Sequence, residues 1–309
     1  MANATFVTEF ILLGFPEIQE MNMAFYTILL LMYLLSLTGH SLIILVVFME
    51  SMLHTPMYFF LVNFSTAEIC CTTAEIPKML VNAFSGKTNI SFACCMLQGF
   101  VVFTMGSVEF ITLTLMSFDR YVAICKPLLY KTIMTNNLCL FLTLLAWVSG
   151  FVIIFPQSAV VWTFPYCGQN VIDHYFCDVG PVLKLACADT TLMELIGLIY
   201  GAIFMWGSLG ISLISYTYII VTIIRMSSAT GRSKAFFTCA SHLTVVIIFY
   251  TADMFMYLRP TTQGDTRVNK VVSLVRTSLI PMLNPFIYTI RNKDFKAALR
   301  KSLRRKMVL

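Results

Sequence analysis

The sequence predicts an all-α membrane protein, a seven-transmembrane helix bundle closed by a short amphipathic C-terminal helix. Three observations carry that expectation. Hydrophobic residues make up 58% of the 309 and charged residues only 12%, against roughly 25% charge in a soluble domain. Seven stretches have the ~20 mostly apolar residues that a helix needs to cross the hydrocarbon core. Lysine and arginine concentrate after the last stretch, where eight of the 21 fall between Arg291 and Lys306, a one-sided distribution of the kind that sets orientation in a bilayer. Such a composition excludes a disordered chain, a coiled coil and a nucleic-acid-binding domain; the net charge of +6 reflects topology. Ten cysteines are too few for a small disulfide scaffold.

The stretches run from Ala24 to Met49, Met57 to Val81, Cys94 to Ile124, Leu138 to Val161, Leu192 to Ile224, Ala235 to Leu258 and Val271 to Ile290. The third and the seventh contain charges, so their apolar signal is weaker. Links this short hold no second folded unit, and 1–309 reads as one domain. Residues 1–23 precede the first span, with Glu9, Glu17 and Glu20 where a signal peptide would want lysine; no cleaved signal is expected, and the first span directs insertion.

Seven spans place the two ends on opposite sides. With the C-terminus inside, 14 of the 21 basic residues are cytoplasmic, among them Arg120, Lys126, Lys131, Arg225, Arg232, Lys234 and the cluster from Arg291 to Lys306. The N-terminus is therefore expected outside, at the plasma membrane. Asn3-Ala4-Thr5 is a glycosylation sequon on that side. The tail 291–309 is cytoplasmic, and Asn292 to Leu303 reads as a basic amphipathic helix on the inner leaflet. Five cysteines, Cys94, Cys95, Cys167, Cys177 and Cys187, fall outside or at the outer boundary, where disulfides persist. They allow two bridges with one left over, and spacing alone does not give the pairing.

Five strings stand in order along the chain: Leu53-His54-Thr55-Pro56-Met57-Tyr58; Met116-Ser117-Phe118-Asp119-Arg120-Tyr121-Val122-Ala123-Ile124-Cys125; Ser215-Tyr216; Lys234-Ala235-Phe236-Phe237-Thr238-Cys239-Ala240-Ser241-His242-Leu243; and Pro281-Met282-Leu283-Asn284-Pro285-Phe286-Ile287-Tyr288. Together they resemble the olfactory receptors, a branch of the rhodopsin-like (class A) G-protein-coupled receptors, over essentially the whole chain. The short outer link between spans six and seven looks like the tetrapod-type, class II branch.

The resemblance implies an odorant receptor rather than an enzyme. Its partners would be a small volatile ligand, membrane lipid and an olfactory, Gs-type heterotrimeric G protein that raises cyclic AMP, with no nucleic acid. It implies an activation switch at Asp119, Arg120 and Tyr121, where the carboxylate can hold the guanidinium by a charge-assisted bond. Tyr216 and Tyr288 resemble the inner tyrosines that reorganise, while Pro285 kinks span seven and Asn284 can cap the freed groups. It implies bridges Cys95–Cys177 and Cys167–Cys187, leaving Cys94 spare. No resident cofactor is implied beyond an allosteric sodium ion at Glu68 and Glu109, two carboxylates at one depth that would share a proton or a cation.

Ionisable groups inside a membrane are functional candidates. Asp253 lies six residues inside the outer end of span six, and Arg276 about six inside that of span seven, each ~9 Å deep by helix rise. Two functions compete: Asp253 binds an amine odorant, or Asp253 and Arg276 form an ion pair and the ligand is neutral. Outward snorkelling of Arg276 would leave Asp253 free. His40 stands where the family usually has Asn and can still hydrogen-bond within the bundle. The four scattered histidines have no metal-ligand spacing.

Carried-over pocket positions are Val102, Phe103, Gly106 and Ser107 in span three, Val179 after the bridging cysteine, Tyr200, Gly201 and Phe204 in span five, Tyr250, Asp253, Met254 and Tyr257 in span six, and Leu274 and Thr277 in span seven. Spacings near i, i+3, i+4 and i+7 let one helix face present them. Val102 stands where amine-neurotransmitter receptors carry Asp. A non-olfactory receptor of the same superfamily is the alternative. A solute transporter fits less well, because it would want symmetry-related repeats and broken helices.

Overall fold

The computed structural model describes residues 7–15, 23–167, 169–258, 266–290 and 292–307. Asn3, Arg291 and the side chain of Tyr257 lie outside the described residues. Seven long helices form the bundle: α1 (Met23–Met49), α2 (Pro56–Ser85), α3 (Phe92–Cys125), α4 (Asn136–Thr163), α5 (Thr191–Ala202, a π turn Ile203–Gly207, then Ser208–Arg225), α6 (Ala229–Leu258) and α7 (Thr266–Leu274, a π turn Val275–Leu279, then Ile280–Ile290). A separate helix, α8 (Lys293–Met307), follows.

The helices overrun the apolar stretches because their ends are polar and capped. Pro56 opens α2 at a position whose missing N–H costs nothing, and Gly86 closes it in the left-handed conformation at φ 68°. The Ser91 hydroxyl accepts from the Cys94 amide to cap α3, and Thr135 accepts from Leu138 to cap α4.

Length and apolarity qualify five described helices as spans, α1, α3, α4, α5 and α7, and a bent pair within α6 makes a sixth. The charged third and seventh stretches therefore qualify after all. It is α2 that falls short, since Asn63, Glu68, Glu75 and Lys78 dilute its 30 residues. Outward-facing side chains confirm the solvent. On α4, Phe141, Leu144, Leu145, Val148, Phe151, Val152 and Phe155 are all 45% exposed or more. An apolar stripe of that size is stable against lipid, not water.

A small sheet covers the end of the bundle where α3 begins. Strand β1 (Glu9–Leu12) pairs antiparallel with β2 (Asn89–Ser91) and parallel with β3 (Val171–Ile172). Phe10 stands opposite Ile90, and Leu12 opposite Ile172. The inward residues Phe10, Leu12, Ile90 and Ile172 pack with Tyr166, Val182 and Leu183 into a core of their own. Two disulfides fix the segment that carries β3. Cys95 at the start of α3 bonds Cys177 with Cα atoms 5.4 Å apart, and Cys167 bonds Cys187 at 5.9 Å. Cys94 is a free, exposed thiol. Lys270 of α7 donates to Asp173 at 2.5 Å and to the Gly14 carbonyl at 3.1 Å, tying the sheet to the bundle. Burial, with Lys270 adding to it, pushes the pKa of the adjacent His174 down to about 3, so this ring is neutral at physiological pH.

Close helix approaches depend on glycine. A Cβ on Gly39 of α1 would meet the Pro285 ring of α7 at 2.7 Å. Beside it, His40 Nε2 bonds the Pro281 carbonyl at 3.0 Å. The hydrogen-bonding role expected of His40 thus joins α1 to the proline-containing turn of α7.

Candidate ligand and switch sites

A buried polar cluster crosses the middle of the bundle. Arg276 projects from the π turn of α7, where the widened backbone re-aims side chains. Its Nε donates to Asp253 Oδ1 of α6 at 2.7 Å, and its Nη2 donates to Glu109 Oε2 of α3 at 3.3 Å. The guanidinium lies 5.2 Å from the centroid of the Phe249 ring, a cation–π contact. Gly106 leaves room on the α3 side, since a Cβ there would sit 3.7 Å from Nη2. Of the arrangements open from the sequence, the structure contains the Asp253–Arg276 pair, and it adds Glu109 to it.

Glu68 is placed differently. Its Oε1 accepts from Asn284 Nδ2 at 2.8 Å, a bond from α7 to α2. Glu109, the other half of the sodium site offered from the sequence, faces the Arg276 guanidinium and not Glu68. Among the described residues, no group of three or more His, Cys, Asp or Glu side chains is placed to hold a metal.

Nearer the sheet, Tyr175 fills the space between α2 and α7. Its hydroxyl bonds Ser273 at 2.8 Å and Thr277 at 3.1 Å, and donates to Glu75 Oε2 at 3.4 Å. Gln98 of α3 is a second fastener, donating to the Ala74 carbonyl at 2.7 Å and accepting from the Cys177 amide at 2.9 Å. The sequence reading singled out neither Tyr175 nor Gln98, because each is a lone polar residue within an apolar or loop context.

The carried-over pocket positions are spread over three apolar clusters. Val102 and Leu274 join the apolar cluster around Tyr175 and Phe176. Tyr250 belongs to the central core with Phe110 and Phe249, and Phe204 and Met254 pack against it. Ser107 is buried and donates to its own helix at the Phe103 carbonyl, 2.8 Å away. Phe103, Tyr200 and Gly201 are half-buried, and Val179 packs under the sheet. A separate recess of about 10 Å³, room for roughly one water, lies between Leu12, Phe15, Tyr26, Met79 and Tyr175 and touches none of the fourteen.

At the other end, Asp119 is completely buried and holds Arg120 through Nε at 3.0 Å and also through Nη2. The Tyr130 hydroxyl donates to the second Asp119 oxygen at 2.7 Å. Tyr121 packs against Tyr218 with centroids 5.8 Å apart. Tyr216 of α5 bonds His242 Nδ1 of α6 at 2.5 Å, and the His242 ring lies 6.5 Å from that of Tyr288 on α7. This three-helix contact joins the two tyrosines through His242, to which the sequence reading gave no role. Changing Tyr130 to Phe removes one restraint on Asp119 without opening a cavity. Ligand-free signalling should rise severalfold at equal surface level, and an unchanged basal signal would count against that restraint.

The profile of the olfactory receptor family matches residues 29–306. Olfactory receptor 6X1 of Homo sapiens is 53% identical over 303 residues, covering 98% of this chain and 97% of its own length. The chain belongs to the olfactory receptor family. Olfactory receptor 6E1 of Mus musculus is 45% identical over 97% of this chain and 96% of its own, and olfactory receptor 6C3 of Homo sapiens is 46% identical over 96% of each. This olfactory receptor is accordingly a seven-helix membrane protein of the G-protein-coupled class and not an enzyme. The outward apolar stripes and the inward polar cluster are the two halves of that architecture.

Proposed function

We propose that this receptor binds small, neutral, volatile odorants among α3, α5, α6 and α7, in the half of the bundle next to the sheet. The observation that carries the ligand class is the engagement of Asp253 by Arg276. An amine would have to displace a guanidinium to reach that carboxylate. Phe103, Phe204, Tyr250 and Met254 offer dispersion contact, and Ser107 and Thr277 offer orientation, as a mostly apolar pocket with few polar anchors requires.

The sheet-bearing end faces outward at the plasma membrane; the count of 14 basic residues against 7 when the C-terminal tail is inside supports this orientation. Odorant binding shifts a pre-existing equilibrium. Arg120 then leaves Asp119, the Tyr216–His242–Tyr288 contact rearranges, and the opened end engages a Gs-type G protein to raise cyclic AMP. Sodium has no part in this reading.

The test is cyclic AMP in cells expressing the chain, across ketones, alcohols, acids and amines, with surface level measured alongside. A response to neutral odorants is expected, and Arg120→Ala should silence it at unchanged surface level. An amine-selective response that is lost in Asp253→Asn would instead make Asp253 the ligand anchor.

A further inference from the structure

Glu68, Glu75, Glu109 and Asp253 are among the carboxylic acids buried within this bundle. Glu68 accepts from Asn284 and Glu75 from Tyr175. Arg276 itself bonds Glu109 and Asp253, from two different helices, and its side chain is only 13% exposed. Each of those carboxylates keeps one oxygen, Glu109 Oε1 and Asp253 Oδ2, without a hydrogen-bond partner among the described residues. A single guanidinium bonds both carboxylates. Anchored in the π turn of α7, the arginine is a cation that cannot diffuse away.

We propose that Arg276 is a tethered cation that takes the place of an exchangeable one, so that the resting state of this receptor is indifferent to sodium. A free ion leaves its site at a rate and concentration set by the solution. A guanidinium on α7 leaves only if α7 moves relative to α3 and α6. The proposal shares the Asp253–Arg276 bond with the ligand class above, but its test varies salt and not odorant, so a failure of one is distinguishable from a failure of the other.

The experiment is thermal unfolding of the purified full chain in detergent, in sodium chloride against choline chloride at equal ionic strength. The wild-type midpoint should be the same in both salts. Arg276→Gln leaves Glu109 and Asp253 without their cation; in sodium chloride its midpoint should rise by roughly 3 °C or more over choline. Adding Glu109→Gln to that variant should remove the difference. Arg276→Lys, which keeps a tethered charge, should behave as wild type.

A sodium-specific rise in the wild type overturns the proposal, and that arm needs no variant to fold. Indifference to sodium in a folded Arg276→Gln protein also overturns it, leaving Arg276 as a brace that substitutes for no ion.

Discussion

Replacing Arg276 by Met should destabilise the receptor by about 3–5 kcal/mol, the usual loss when one partner of a buried pair is removed and the other charge is stranded. Here two carboxylates, Asp253 and Glu109, lose their partner at once. Most of the protein should be retained inside the cell. Adding Asp253→Asn to Arg276→Met should restore part of the surface level, because the amide needs no counter-charge. Flow cytometry on the wild type, both single variants and the double variant completes a thermodynamic cycle. Strictly additive losses would mean that the 2.7 Å bond between Asp253 and Arg276 carries no coupling.

Gly39→Val should be nearly as harmful, at about 3 kcal/mol, the upper range for overpacking a well-filled contact. The first added carbon meets two atoms of the Pro285 ring at 2.7 and 2.8 Å. A proline ring has no rotamer to yield, so α1 must shift, and the His40 bond to Pro281 shifts with it. Thermal unfolding of the purified variant would show the loss. Gly210 makes the control, because a Cβ there meets nothing within 4 Å. Equal effects at the two positions would mean that helix propensity, not the α1–α7 contact, sets the cost.

The bundle was legible because lipid imposes a long-range rule that composition records directly. Span ends shifted by a few residues wherever a cap or a proline, rather than apolarity, decides where a helix starts. The sheet was illegible. Its strands have only two to four residues, and β1 pairs with segments about 80 and about 160 residues further along the chain, a pairing that no local pattern reports.

The Asp253–Arg276 pair could be read from matched depths along consecutive antiparallel helices. Glu109 could not be joined to it, since depth says nothing of which way a helix face is turned. Tyr130, Gln98 and His242 show the same limit: each matters through one bond to a distant element. Glu109, offered from the sequence as a sodium ligand, is met by Arg276. Arg276 was weighed against Asp253, but its reach to α3 is a property of the widened turn in α7.

Strand β1 also has a consequence for the order of synthesis. Its partner β3 is encoded about 160 residues later. At 5–20 residues per second this leaves one edge of β1 open for roughly 8–30 s. An unpaired edge of that kind invites pairing with other chains. The nascent receptor therefore carries, at its very start, a segment that waits for the fourth helix to be made, and chaperone occupancy of residues 9–12 during that interval would bear on how much receptor reaches the cell surface.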